Sequence, residues 1–184
     1  MNYIQKLCGH SKTIIIHKYY VFQNCVKAGI VFQGIIHDLS KFSPTEFFES
    51  VKYYTGERSP IEVCKEANGY SKAWLHHRGR NKHHHVYWVD ELDDGGKPIV
   101  MPYKYAIEQL CDYLGAGKAY SNEMFSYESE YNWWISKLSA PIAMSPQIIE
   151  FNTRMLKIMC EENSNDVLKP ERSMQIYLDS INEI

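Results

Sequence analysis

GIIHDLSKFSPTE, residues 34–46, joins two signals. Its second half, Ser43-Pro44-Thr45-Glu46, reads as a helix start: serine at the N-cap, proline at the first helical position, glutamate at the third. The same opening recurs at Ser59-Pro60-Ile61-Glu62, and Ser145-Pro146 repeats its first two members with Gln147 following. These starts predict helices near 44–55, 60–79 and 146–162. Upstream, Ile14, His17, Val21, Cys25 and Ala28 fall three or four apart. That is the stripe of an amphipathic helix over 11–28, which Gly29 would end. Residues 31–41 read as a short, largely buried helix carrying the first half of the quoted stretch. Pro102 starts another helix over 102–120, and 127–139 and 170–182 carry fainter helical patterns. No segment alternates cleanly and no Asn-Gly hairpin occurs. Residues 92–101 and 162–169 read as loops. With no repeat, linker or low-complexity tract, the pattern predicts a single all-α domain over residues 1–184, built from about seven to nine helices.

Composition narrows the function classes. The chain has 184 residues, 45% hydrophobic and 23% charged, an ordinary globular balance with length for one core. A net charge of −2 gives no sign of a general nucleic-acid binder. No apolar run approaches the roughly 18–20 residues that span a bilayer, and MNYIQKLCGHSK lacks the apolar stretch of a secretory signal. The five cysteines are scattered, odd in number and without a CxxC pair. They argue against a disulfide framework and a structural zinc site, and for a reducing, cytoplasmic setting.

The histidines are anomalous. All eight fall in residues 1–85, five of them within 76–85. His17 lies on the apolar stripe of its helix. His37 and Asp38 follow Ile35 and Ile36, and Asp112 sits mid-helix between Cys111 and Tyr113. A lone inward histidine is an ordinary core group bonded to a carbonyl. Two inward acids with two inward histidines on three helices instead predict a divalent metal site, because imidazole and carboxylate suit zinc, iron, manganese or nickel.

IIHDLSKF resembles the central HDxxK motif of the HD superfamily of metal-dependent phosphohydrolases, in which an apolar run leads into His-Asp. The resemblance implies an upstream histidine on one helix, His-Asp on the next and an aspartate on a later one. His17, His37-Asp38 and Asp112 match those positions, within residues 14–120. Residues 127–184 would pack on that core. The chain also resembles a group of bacterial and phage proteins with HDLSKFSPTEF-like and NKHH-like motifs and no firmly assigned activity. By the resemblance, Lys41 contacts a phosphoryl oxygen or the water on the metal, and Asp38 bridges two metals or orients the attacking water. These two are the expected catalytic residues.

Two-metal members of the superfamily add histidines before the last aspartate, an interval that His76-His77 and His83-His84 occupy here. Those pairs are only seven residues apart, so 76–85 reads as a mixture of ligands and substrate-binding groups. If a helix runs through 74–85, His77, His84 and Asn81 share a face, and His76 and His83 share the adjacent one. We take His77 and His84 as ligands, with His76 and His83 as alternates; His85 would face solvent. Arg78, Arg80, Asn81 and Lys82 are the expected substrate-binding groups, a small basic cluster suited to a phosphate. A charged face balanced by Asp90, Glu91, Asp93 and Asp94 explains the same residues equally well. Glu46 is read as a capping-box residue, and Glu108 as a neighbour or extra ligand of the metal.

The expectation is therefore a metal-dependent hydrolase of a phosphomonoester or phosphodiester. The cofactor is one or two divalent ions (Fe, Mn, Zn, Ni or Mg). A small phosphorylated substrate, a nucleotide by fold-level analogy, is the expected partner, and the abundant aromatics leave room for a homodimer. A di-iron oxygenase on the same scaffold and a non-catalytic metal- or nucleotide-binding module are the competing readings.

Overall fold

The computed structural model describes residues 1–90 and 96–182. Glu91, Asp93, Asp94 and most of the expected 92–101 loop start lie outside the described residues. Among the described residues, nine α-helices account for nearly all the regular structure: α1 (Tyr3–Lys27), α2 (Val31–Ile36), α3 (Pro44–Tyr53), α4 (Pro60–Asn68), α5 (Lys72–Arg78), α6 (Tyr103–Ser121), α7 (Tyr127–Lys137), α8 (Pro146–Glu162) and α9 (Pro170–Asn182). The fold class is all-α. Two-residue strands, Val89–Asp90 and Lys97–Pro98, pair antiparallel and close the only sheet among the described residues. No described helix is long and apolar enough to cross a membrane.

The Ser-Pro starts open α3, α4 and α8, with proline in the first turn of each. α1 begins eight residues before the expected start at residue 11 because Asn2 and Gln5 form a capping box, the Asn2 side chain accepting from Gln5 N. Three expected helices are corrected. Residues 31–41 form α2 and a separate 3-10 turn, Leu39–Phe42, broken at His37-Asp38. The expected 60–79 helix divides at Gly69, whose φ of 79° is left-handed and suits a residue without Cβ. The conditional 74–85 helix stops at Arg78, and residues 79–84 run as a loop into the 3-10 turn His85–Trp88.

The core is built on α1 and α6. Val21 and Cys25 meet Ile107, Leu110 and Leu114, all fully buried, and Trp134, Phe151, Met155 and Met159 of α7 and α8 cover the same cluster. Gly115 lets the two central helices touch: a Cβ there would stand 3.0 Å from the Val21 backbone nitrogen and collide with its side chain. This contact sits one turn from His17 on α1 and one from Asp112 on α6, so the closest approach of the two helices sets the distance between those side chains.

Candidate metal centre

Four pieces of chain converge beside the α1–α6 contact. α1 supplies His17; the break after α2 supplies His37 and Asp38; α5 and the loop after it supply His77, His83 and His84; α6 supplies Asp112 and Glu108. Each is held from behind. Lys18 Nζ donates to the carbonyls of Ile35 and His37, 2.7 Å each, gathering the acceptors left open where α2 ends. Asp38 takes a left-handed φ of 54°, a strained conformation for a residue with a Cβ. The first turn of α5 is capped from α3, where Glu49 Oε1 accepts from Ser71 Oγ at 2.6 Å and Ala73 N at 2.8 Å. The 79–84 loop is pinned by Asn81 Nδ2 to Ser40 Oγ (2.8 Å) and by Gln109 Nε2 to His83 O (3.0 Å). Gln109 is itself held by Asn152 of α8 at 2.9 Å.

Among the described residues, three clusters of ligand-type side chains result; His37, His83 and Glu108 make the smallest, and the other two are joined at Asp38. His17, His37, Asp38 and Asp112 form one, and Asp38, His77, His83 and His84 the other. His17 Nε2 lies 3.1 Å from Asp112 Oδ1 and 3.6 Å from Asp38 Oδ2; His37 Nε2 lies 3.4 Å from each of those oxygens. On the other side, Asp38 Oδ1 is 3.3 Å from His77 Nε2 and 3.5 Å from His83 Nε2. One carboxylate thus turns an oxygen to each group.

The far nitrogens are fixed by carboxylates. Glu108 Oε1 stands 3.0 Å from His37 Nδ1 and 3.3 Å from His83 Nδ1, and Glu46 Oε2 stands 2.8 Å from His77 Nδ1. A carboxylate there holds the ring proton on Nδ1, so the neutral ring offers Nε2 as a lone pair. With no metal ion between them, burial works against a charged His37, but Asp38 and then hydrogen bonds to the acids outweigh it and hold the ring well above the ordinary histidine value. The Nε2 atoms of His17, His37, His83 and His84 are buried without a hydrogen-bond partner, as is Asp38 Oδ1. Lone pairs facing carboxylate oxygens inside a protein are costly unless a proton or a metal cation lies between them. Metal–ligand bonds of about 2.0–2.2 Å place neighbouring ligand atoms about 3.0–3.6 Å apart, the range seen around Asp38. The donor set is compatible with one or two divalent ions.

Charge points the same way. Asp38, Glu46, Glu108 and Asp112 carry four negative charges, against Lys18 and Lys41 as the adjacent ammonium groups. Neutral imidazoles would then leave two negative charges uncompensated. Burial alone would raise the Asp38 carboxyl, but positive charge facing it, from a protonated His37 in the metal-free protein and then from Lys41, holds it well below the usual range. Asp112 is likewise opposed by burial and held well below the usual range by the His17 and His37 rings that face it. Burial, with His83 adding to it, pushes His84 well down and keeps it neutral.

A cavity of about 400 Å³ reaches the centre, with His17, His77, His84 and Asp112 in its wall. Lys41 lines it too, 2.6 Å from Asp38 Oδ2 with its side chain 27% exposed. Burial works against that ammonium, yet Asp38 and Asp112 hold its pKa above the ordinary lysine value. Lys137 of α7 enters from the other side, over the rings of Tyr113 (5.1 Å) and Trp133 (5.0 Å).

Several residues sit elsewhere than expected. His83, an alternate on helical spacing, is in the joined groups because the helix ends before it; His76 instead turns to Glu46 Oε1 at 2.6 Å. Glu46 does not close a capping box: its side chain orients His76 and His77, while only its backbone nitrogen meets Ser43 Oγ. His85 lines the cavity and contacts Ala143 O at 2.8 Å rather than facing solvent. Arg78 is exposed, and Arg80, Asn81 and Lys82 border a separate hollow of about 290 Å³ behind His37 and His83. The basic cluster is therefore not in the wall of the cavity that holds Lys41. His10 was missed: it is buried against Phe47 and Tyr54, and burial, then Lys41, lowers it to about 4. It precedes His17 by seven residues on the same helix face, a spacing visible in the sequence.

No curated protein and no solved structure matches the chain. A family model does, across residues 7–158, a span that contains every side chain of the two joined groups. The match brings no activity with it, and the likeness of IIHDLSKF to the HD motif remains one of motif. The chain belongs to DUF5662, a family of unknown function.

Proposed function

We propose that this protein is a metal-dependent phosphohydrolase, with His17, His37, Asp38 and Asp112 holding one divalent ion and Asp38, His77, His83 and His84 able to hold a second. The observation that carries it is the set of buried, unpartnered Nε2 atoms aimed at Asp38 and Asp112, opening onto a cavity with a lysine at its edge. A divalent ion bound there supplies Lewis acidity and lowers the pKa of water from about 15.7 towards about 7. The chain's own residues do the rest. Asp38 offers one oxygen to each group and so fixes their separation. Glu108 and Glu46 keep His37, His83 and His77 in the tautomer that donates Nε2. Lys41 stays charged beside Asp38 and meets a phosphoryl oxygen as negative charge grows on it. Lys137 faces the same space and binds the phosphate before reaction. Overall, the oxygen of water forms a bond to phosphorus as the bond to the departing alcohol breaks, and that alcohol takes up a proton.

The test is hydrolysis of an aryl phosphate and a nucleotide panel by protein purified without chelator. Activity that Asp38→Ala abolishes while the circular dichroism spectrum persists supports the reading. Full activity in Asp38→Ala contradicts it. Five imidazoles in the two groups also favour a second reading, a di-iron oxygenase. Bound iron with an oxygen-sensitive optical band, and no phosphoester turnover, would select it.

A further inference from the structure

Beyond the metal-side cavity lies a second one of about 470 Å³, between α4, α6 and α7. The two share Ser59, Glu62, Tyr113, Ala116, Tyr120 and Trp133, so they lie side by side along one groove. Its far end is unlike its near end. Glu130 of α7 is only 7% exposed, borders this cavity, and has no side-chain hydrogen bond or ion pair among the described residues. Its carboxyl lies against Gly117, where a Cβ would overlap it, so a glycine makes the space that the group occupies. Glu57 and Glu62 border the same end, while the one arginine there, Arg58, has its guanidinium forked onto Glu66. The walls are the rings of Tyr113, Tyr120 and Trp133.

We propose that this end of the groove binds an aliphatic ammonium group on the organic half of the substrate, held by Glu130 among the aromatic rings. The inference rests on the phosphohydrolase reading for the other half of the substrate. Three carboxylates with no ion pair among the described residues, set among aromatic faces, suit a positively charged amine by charge-assisted hydrogen bonding and cation–π attraction. The Lys137 ammonium seated over Tyr113 and Trp133 shows these rings accepting a cation. Burial, with no compensating cation, raises Glu130 to about 7, and a ligand ammonium would supply the missing charge. The groove also sets a length. From Asp112 to Gly117 is five residues of α6, about 7.5 Å of helix rise, so the phosphate and the amine stand well apart.

Aminoalkyl phosphates of graded chain length, compared with alkyl phosphates of the same length, test this on the metal-loaded protein. A buried charged hydrogen bond predicts about a 10–100-fold preference for the amine at the matching length, expressed in KM. In Glu130→Gln, which keeps the shape, the preference should fall to near one. A ratio near one in the wild type, or an unchanged ratio in the variant, overturns the proposal. So does a preference for nucleoside 5′-phosphates over every aminoalkyl phosphate. If no phosphoester is hydrolysed, the phosphohydrolase reading fails, and tryptophan-fluorescence titration with the same compounds judges the groove alone. Glu130-dependent tighter binding of the amines then upholds it, and equal binding of amines and neutral alkyls overturns it.

Discussion

Replacing Glu108 with glutamine separates a metal centre from a polar core that merely contains histidines. Glu108 Oε1 faces the Nδ1 atoms of both His37 and His83, at 3.0 and 3.3 Å. One of those rings belongs to each joined group. Losing a carboxylate that orients a ligating histidine costs about 10–100-fold in metal affinity. With two rings released at once, the upper end is expected, about 100-fold or about 2.7 kcal/mol. Glutamine still offers a carbonyl oxygen to one Nδ1–H, so the metal-free fold should lose less than about 1 kcal/mol, or roughly 2–4 °C in melting temperature. Competition against a chromophoric chelator gives the affinity, and melts of chelator-treated protein give the stability. Affinity within about threefold of wild type, together with a melting temperature several degrees lower, would refute the reasoning and make Glu108 a structural residue only.

Three further outcomes follow from particular contacts. Gly115→Ala should cost about 1–3 kcal/mol by overpacking against Val21, read as a lower midpoint in urea with an unchanged slope; a neutral effect would mean that the α1–α6 approach is looser than described. Lys41→Met should lower kcat on an aryl phosphate about 100-fold while the metal content by elemental analysis stays at the wild-type level, and retained turnover would remove Lys41 from the chemistry. Glu130, raised from the ordinary 4.5 to about 7, binds more protons folded than unfolded between those values, so it makes stability fall as pH rises through that window. Glu130→Gln should therefore melt higher than wild type at pH 8, with the difference shrinking towards pH 4.5. A difference that is independent of pH would contradict the burial of an ionisable carboxyl there.

The helices were legible where their signals are local. Ser43-Pro44 and its two repeats open helices where expected, because an N-cap hydroxyl and a proline act within one turn. The breaks were not. IIHDLS reads as helix by apolar content, but Asp38 turns left-handed where Lys18, nearly twenty residues away, draws in the carbonyls of Ile35 and His37. Helical spacing puts His83 on a different face from His77 and His84, but the helix stops before Gly79 and the loop, held by Asn81 and Gln109, brings the three together. Glu46 shows a nearby signal hiding a distant one. Its position fits a capping box, yet its carboxylate reaches residues thirty positions on. The ligand-type residues themselves stood out because an imidazole or carboxylate on an apolar stripe is expensive wherever the chain later goes.

The central claim is that a divalent ion sits between His17, His37, Asp38 and Asp112. Elemental analysis of protein purified without chelator, followed by anomalous diffraction at the absorption edge of the metal found, tests it directly. The account predicts at least one ion per chain, with an anomalous peak about 2.0–2.2 Å from Asp38 and Asp112 oxygens and from histidine Nε2 atoms. Metal-free protein whose melting temperature does not move on adding zinc, manganese, iron or nickel, with no anomalous peak beside Asp38, would contradict it.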